Sequence, residues 1–274
     1  MKTILSLGTV LLLSVSPTQV LAAIPTISES DARIERSARS SYVFRNFLKY
    51  DSITVSSITG SVKISGTVAD VVHRSLAEDT VASIAGVTNI ENQVTVQSKT
   101  QGEESDGLTY SRVKTALRSD RDLVTSRIAV EVKDGLATLC GTASGLLQKD
   151  KAARIAKEIP GVLGVKNLLI IRAAALEKGE AEPVSIDDAS LAALGKSALL
   201  LHRSTARVTA KIQTTHGVIT ATGAAKSPTE KAAVTRVLSQ IIGSKGVVNQ
   251  MHDESGESAA SPLLPPTNLR IVVQ

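Results

Sequence analysis

Three stretches of the chain alternate apolar and polar residues, and a glycine divides each stretch into two short runs. In the second stretch, Ile128-Ala-Val-Glu-Val leads to Asp134-Gly135, and Leu136-Ala-Thr-Leu follows. Alternation with a period of two predicts strands with one buried face. A glycine at the turn predicts a tight hairpin, because glycine reaches positive φ without strain. We therefore expect a β-hairpin in each stretch, with Thr59-Gly60 and His216-Gly217 at the other two turns.

A helix is predicted after each hairpin. In the second stretch the apolar residues Ala152, Ile155 and Ile159 recur at spacings of three and four, which places them on one helix face. The same spacing occurs in the other two stretches, and a glycine that can cap the helix follows each time. Another helix is predicted before each hairpin, most clearly at 110–117 and 191–201.

Nine glycines repeat one spacing three times. In each copy, two glycines are six residues apart, a third glycine follows twenty residues later, and an asparagine comes six residues after the third glycine. Because this register holds three times, it predicts three copies of one structural unit. The structural glycines are Gly60, Gly66, Gly86, Gly135, Gly141, Gly161, Gly217, Gly223 and Gly243, and the asparagines are Asn92, Asn167 and Asn249.

The predicted fold class is α+β, with three tandem α-β-β-α-β modules. Each module is expected to hold a three-stranded mixed sheet with two helices on one face and a right-handed strand-helix-strand crossover. The predicted modules are 31–97, 106–172 and 184–252, separated by linkers at 98–105 and 173–183.

The tail, 253–274, ends in a strand-like segment at 268–274. This segment resembles Asn167-Leu-Leu-Ile-Ile-Arg at the end of the second module. Because the third module has Gln250-Met-His-Asp-Glu in place of an apolar strand, its last strand is expected to be short or broken. The tail is expected to join the third sheet or one of its edges, and the alternative is a disordered tail.

Residues 1–22 are predicted to be a secretory signal peptide. Lys2 precedes an apolar stretch, 4–15, and small residues follow near 22. A membrane anchor is the alternative, but the stretch is shorter than the ~20 residues that cross a bilayer. The mature chain is therefore expected in the periplasm as a soluble protein.

The composition indicates several small cores and no catalytic chemistry. The chain has 42% hydrophobic residues, no tryptophan and five other aromatics, so aliphatic side chains must fill its interior. The one cysteine, Cys140, lies in a predicted strand, where a buried apolar role is favoured over a reactive thiol. The four histidines lack metal-ligand spacing, and no nucleotide or hydrolase motif occurs. We expect no metal, no cofactor and no enzymatic activity.

Positive charge is concentrated in the second and third modules. The first module has seven basic and seven acidic residues, whereas the second has twelve and seven and the third has eight and three. Such cations could contact anionic lipid headgroups, or they could form solvated helix faces. The candidate lipid-binding cations are Arg112, Lys114, Arg118, Arg121, Lys149, Lys151, Arg154, Lys157, Arg203, Arg207 and Lys211.

Four of the five aromatic residues lie together in the first module, beside Arg45 and Lys49. They could anchor the chain at a membrane interface, or they could pack in the core. The spacing of three between Phe44 and Phe47 favours a shared buried face, whereas the two tyrosines need a polar outlet. The candidate aromatic residues are Tyr42, Phe44, Phe47 and Tyr50.

The repeated unit resembles the BON domain, named for bacterial OsmY and nodulation proteins. The resemblance rests on Asp134, Gly135, Leu139 and Gly141 in the second hairpin, and on the ending Ile159-Pro-Gly-Val-x-x-Val-x-Asn167. The first unit repeats this ending as Ile84-Ala-Gly-Val-Thr-Asn-Ile-Glu-Asn92. The whole chain is similar to exported OsmY-like proteins that contain such domains in series.

The BON resemblance implies a role at phospholipid interfaces and in envelope or osmotic stress. It favours an exported multi-domain adaptor that binds anionic phospholipid peripherally and helps to maintain the envelope. The alternative is a scaffold that binds an envelope protein. Nucleic-acid binding is disfavoured by the predicted export and by the lack of aromatic platforms on strands.

Overall fold

The computed structural model describes residues 28–97, 101–172 and 185–253, with the backbone alone at 101–105 and 253. The predicted signal peptide and the second predicted linker lie outside these ranges, and so does the tail beyond 253. The first predicted linker is partly described, because a helix already begins at Gln101.

The described residues form three modules with the predicted order of elements. The first module contains α1 (Glu29–Ser40), α2 (Tyr42–Asn46), β1 (Ser52–Ile58), β2 (Ser61–Val68), α3 (Val71–Ala82) and β3 (Asn89–Val96). The second contains α4 (Gln101–Ser119), a 3-10 helix (Arg121–Leu123), β4 (Arg127–Lys133), β5 (Leu136–Ala143), α5 (Leu146–Glu158), β6 (Gly164–Asn167) and β7 (Ile170–Ile171). The third contains α6 (Asp188–Leu201), β8 (Ala210–Thr215), β9 (Val218–Ala225), α7 (Pro228–Ser239), β10 (Gly246–Asn249) and β11 (His252–Asp253).

Each module has a mixed sheet, which confirms the predicted α+β class. The hairpin strands are antiparallel, and the strand after the next helix returns parallel to the second hairpin strand, which is therefore central. In the second and third modules the returning strand is interrupted, so each of these sheets counts four strands instead of three. The register is the same on both sides of the interruption, since Asn167 faces Leu139 and Ile170 faces Thr142.

The hairpin turns have the predicted backbone conformation. Thr59, Asp134 and His216 have φ values of 52°, 49° and 53°, and the glycine that follows each is also positive. Two consecutive positive φ values are those of a type I′ turn, whose twist matches that of the paired strands. His216 is therefore a turn residue. All nine glycines of the repeat have positive φ.

The second glycine of each repeat also allows a close approach of two strands. A Cβ atom added at Gly223 would lie 2.6 Å from the carbonyl oxygen of Thr209, and one added at Gly141 would collide with the carbonyl oxygen of Arg127. Any larger residue there would push the two hairpin strands apart.

An aspartate in the first helix of each module holds the hairpin turn. The carboxylate of Asp188 accepts hydrogen bonds from the backbone N–H groups of His216 and Gly217, both at 2.8 Å. Asp31 and Asp106 accept the equivalent hydrogen bonds from the backbone N–H groups of the residues 28 and 29 positions later in the chain. The aspartate thus fixes the helix to the hairpin in all three copies. This constant spacing is present in the sequence but was not among the predicted features.

The repeated asparagine ties the last strand of each module to the preceding helix. The Nδ2 group of Asn167 donates to the carbonyl oxygen of Lys149 on α5 at 2.9 Å, and its Oδ1 accepts from the N–H of Leu169. Asn249 bonds in the same way to Lys231 and Met251. Asn92 accepts from the N–H of Val94 and donates to the side chain of Glu78 on α3, although β3 is continuous there. The asparagine therefore ties the last strand to the preceding helix in all three modules.

The cores of the modules are not all separate. The second module has its own buried cluster, around residues such as Leu139 and Ile155. The first and third modules share a larger cluster in which Leu76 of α3 belongs with Leu194 of α6. The first module also keeps a cluster of its own, around Ile64 and Val94. The expectation of several small cores therefore holds, and the contact between α3 and α6 adds part of the first module to the core of the third.

Polar contacts connect all three modules. The N–H groups of Tyr42 and Val43 donate to Asp187 and Ser190 of the third module at 2.7 and 3.0 Å. The hydroxyl of Ser111 on α4 donates to Asp70 at 2.6 Å. The second and third modules are joined by backbone bonds from Ile242 to Ser119 and from Arg121 to Gln240. The modules therefore form one assembly in which α6 is buried along most of its length.

Candidate binding surfaces

Five of the eleven candidate cations make contacts inside the protein. The guanidinium of Arg118 donates to the carbonyl oxygen of Asn46 at 2.8 Å and lies 4.7 Å from the ring centre of Phe47, which joins the second module to the first. Arg121 donates to the carbonyl oxygen of Ser239 at 3.2 Å, and Arg203 donates to that of Val162 at 2.6 Å. These three arginines connect modules, which the sequence analysis did not foresee.

Arg112 and Lys151 are used within the second module. Arg112 is half-buried and donates to the carbonyl oxygen of Pro160 at 3.5 Å. The Nζ of Lys151 lies 2.9 Å from Oδ1 of Asp120 and also contacts Asp122. Burial raises the pKa of Asp120, and Lys151 opposes that rise. Both cations therefore have partners inside the second module.

The other six cations point outward or are half-buried. Lys114 donates to the hydroxyl of Tyr110 at 2.9 Å and lies over its ring. Arg154, Lys157, Arg207 and Lys211 are exposed, and Lys149 is half-buried. In the part of the chain that the structure describes, none of these six forms a salt bridge.

Some of these outward cations lie near the junction of the second and third modules. Arg154 and Lys157 are three residues apart on α5, so they share one side of the helix. Glu158, the next residue, accepts from the N–H of Arg203 at 3.0 Å, and its carboxylate lies 3.0 Å from Nδ1 of His202. The end of α5 therefore contacts the loop that carries Arg203 and Arg207. We call these four residues, Arg154, Lys157, Arg203 and Arg207, the junction cation face.

The four candidate aromatics do not form one exposed anchor. Phe47 is buried, and its ring meets that of Tyr42 edge to face at 6.2 Å between centres. Phe44 is partly buried against two core clusters. Burial raises the pKa of Tyr42, and the charge of Arg118 opposes that rise. Tyr50 is 88% exposed, with Nζ of Lys49 4.6 Å from its ring centre, so it is the most exposed of the four rings.

Two carboxylates and a histidine show how the first module is held together. Hydroxyl donors from Ser28 and Ser57, followed by the N–H of Gly60, lower the pKa of Asp31 far below its ordinary range. His73 lies 2.6 Å from Asp51, atom Nδ1 to Oδ2. Desolvation alone would lower the pKa of His73, but the bond to Asp51 and the charges of Asp70 and Asp51 outweigh it, so the pKa is raised.

Cys140 is exposed on the open face of its sheet. The expectation of a buried cysteine was wrong, because the alternation along β5 buries Ala137 and Leu139 and turns Cys140 outward. Over the described residues, no group of three or more His, Cys, Asp or Glu side chains could hold a metal ion. Likewise, no helix within the described ranges has the length and apolar character to span a bilayer.

The second module also carries apolar side chains in solvent that the sequence analysis missed. Leu163 is 85% exposed and Ile170 is 69% exposed. They lie beside or within the last, interrupted strand of the sheet. The sequence does not mark these residues as exposed, because a short apolar run does not show which of its sides is covered.

Comparison with known proteins agrees with the repeat. The BON domain family matches residues 30–98, 105–173 and 187–252. The chain is 31% identical over 142 residues to the osmotically-inducible protein Y of Escherichia coli (strain K12), a match that covers 50% of this chain and 70% of that protein.

Two solved structures of the type III secretion protein CdsD of Chlamydia trachomatis also match. One, of the C-terminal domain, is 14% identical with a TM-score of 0.21 and covers 81% of this chain and 96% of that chain. The other is 15% identical with a TM-score of 0.24 and covers 85% and 97%. These scores are too low for either structure to bear on this molecule. The three family matches coincide with the three modules, and the chain therefore belongs to the BON domain family.

Proposed function

We propose that this protein is an exported, non-enzymatic adaptor that binds anionic phospholipid at a membrane surface of the periplasm. In this role it contributes to envelope integrity under osmotic stress. The observation that supports the proposal most is the junction cation face, where Arg154, Lys157 and Arg207 are exposed and free of salt bridges within the described residues.

The charge of the molecule agrees with this role. The second and third modules each carry a net charge of +5, and the first module is neutral. A cation near an anionic surface contributes about 1 kcal/mol of attraction. Several such cations on one face can therefore hold the chain peripherally without insertion of a helix. The name of the Escherichia coli relative, osmotically-inducible protein Y, supports the assignment to osmotic stress.

Vesicle sedimentation tests the proposal. The full chain without residues 1–22 is mixed with neutral vesicles and with vesicles that contain 30% anionic phospholipid, a composition chosen on the order of that of anionic membrane leaflets. We expect sedimentation with the anionic vesicles alone, and less of it as salt rises, because the Debye length shrinks from about 10 Å at 0.1 M to about 3 Å at 1 M. Absence of binding at every salt concentration would refute the proposal.

A scaffold that binds an envelope protein is the second candidate function. The exposed apolar side chains of the second module favour it, because contiguous apolar patches often mark protein contacts. Binding to envelope protein that persists at high salt, without binding to vesicles, would support the scaffold in place of the lipid adaptor.

A further inference from the structure

The last strand of the second module differs from its counterparts in the other two modules. We call Leu163, Leu168, Ile170 and Ile171 the β6–β7 edge. Their exposed fractions are 85%, 49%, 69% and 48%. Within the described residues, β6 and β7 pair with β5 on one side and with no strand on the other. This edge therefore presents unpaired backbone groups next to apolar side chains, the combination that invites another strand.

The repeat provides an internal comparison for this edge. The positions equivalent to Leu163, Leu168 and Ile170 follow from the shared glycine and asparagine register. They are Thr88, Gln93 and Thr95 in the first module, and Lys245, Gln250 and His252 in the third. Since all six are polar, the fold itself does not require apolar residues at these places.

The chain contains a segment that suits this edge. Residues 268–273 read Asn-Leu-Arg-Ile-Val-Val, close to the Asn-Leu-Leu-Ile-Ile of the edge at 167–171. In an extended strand Leu269, Ile271 and Val273 lie on one face, with Arg270 on the other. Neighbouring strands place side chains of the same face side by side, so the apolar face of this segment could cover Leu168 and Ile170.

The third sheet is a poorer partner for that segment. β11 already pairs with Ala224 and Ala225 of β9, where a tail strand that completed the third sheet would lie. Its outer edge carries Lys245, Gln250 and His252. A strand added there would bring its apolar face beside polar side chains.

The connecting residues are long enough to reach the second module. Fourteen residues, 254–267, separate the described structure from the segment, and at about 3.3 Å per residue they extend to roughly 46 Å. A compact chain of this size has a radius of gyration of about 18 Å. The connection contains Glu254 and Glu257 and no basic residue, so its charge is opposite to the net +5 of the second module.

We propose that residues 268–274 of the same chain bind the β6–β7 edge as an added strand. The segment covers Leu168 and Ile170 and pairs with the outward backbone groups of β6 and β7. It thereby removes an edge that would otherwise pair with other chains. The proposal does not depend on lipid binding.

Hydrogen exchange of the full chain tests this pairing. Ile271→Asp places a charge on the apolar face of the segment, and we expect the outward amides of Gly164–Ile171 to exchange about tenfold faster or more. Thr267→Asp adds the same charge outside the segment and should leave them unchanged. The amides of β3 should be unaffected in both variants, because the first module carries the polar residues Thr88, Gln93 and Thr95 at the matching positions.

A second pair of variants tests the edge itself. Ile170→Lys should accelerate exchange in the same amides, and Thr95→Lys, its counterpart in the first module, should not. Both side chains are exposed, so the fold is expected to survive, and circular dichroism verifies this. Unchanged exchange at β6–β7 in Ile271→Asp overturns the proposal. Faster amide exchange at β3 or β10 in that variant, in place of β6–β7, also overturns the proposal. Protection of β6–β7 that increases with protein concentration overturns it as well, because it would indicate that a second copy of the chain covers the edge.

Discussion

At the scale of single residues, three side-chain types carry the repeat: glycine, asparagine and aspartate. Glycine and asparagine stand out in the sequence because their spacing is fixed and few other residues serve their positions. The aspartate was overlooked because it lies 28 or 29 residues from the turn that it holds. Once the hairpin is known, the aspartate can be found in each copy within the first turns of the preceding helix.

The aspartate contact leads to a prediction about stability. Asp188→Ala removes the acceptor for two backbone N–H groups, and loss of charged hydrogen bonds of this kind costs about 1 to 3 kcal/mol. Urea denaturation should show this loss. Asp188→Asn, which keeps one acceptor oxygen, should lose less, and Asp150→Ala, at an exposed position, should stay within about 0.5 kcal/mol of the parent. Equal stability of all three variants would argue against the turn contact.

His73 predicts how the stability of the first module depends on pH. Its pKa is raised in the folded chain, so the folded state binds the proton more tightly than the unfolded state does. The resulting stabilisation is complete below the unfolded pKa of about 6.5 and is lost as the pH rises through the folded pKa. Urea midpoints measured from pH 5.5 to 8.5 should show this fall.

His73→Gln serves as the comparison for that pH profile. In this variant the urea midpoint should fall less steeply as the pH rises. His216→Gln, at an exposed turn position, should leave the dependence of the urea midpoint on pH unchanged. An identical slope in His73→Gln and the parent would show that the contact of His73 with Asp51 does not control it.

At the scale of elements, α6 determines how the modules meet. Its sequence, 188–201, is apolar on nearly every side, and a helix of that composition is buried all round. Its place in the sequence assigns it to the third module alone, because periodicity shows which faces are apolar but not which neighbour covers them. The contact between α3 and α6 was therefore not predicted.

The shared core predicts coupling between the first and third modules. Leu76→Ala removes a buried side chain of α3, with an expected cost of about 2 to 5 kcal/mol, and it should accelerate amide exchange in α6 as well as in α3. Val94→Ala, in the first module's separate cluster, should affect α6 less. If Leu76→Ala changes exchange in the first module alone, the two cores are not coupled.

At the scale of the whole molecule, the sequence predicted three modules but not their arrangement. The modules follow from local pattern, which repeats. The arrangement of the modules depends on contacts that are not part of the repeat, such as those of Arg118 with Asn46 and of Arg121 with Ser239. For the same reason, the candidate cations divide into those that join modules, those that have partners within the second module and those that point outward or are half-buried. Counting charges along the chain cannot separate these groups.

The central claim is that the exposed residues of the junction cation face bind an anionic membrane. It is tested most directly by sedimentation of the triple variant Arg154→Ser, Lys157→Ser and Arg207→Ser with anionic vesicles. At about 1 kcal/mol for each cation, affinity should fall by roughly two orders of magnitude. The matched control replaces Arg36, Lys63 and Arg74, three exposed cations of the neutral first module, and should bind like the parent. Parental affinity in the first variant, or an equal loss in both, would contradict the account.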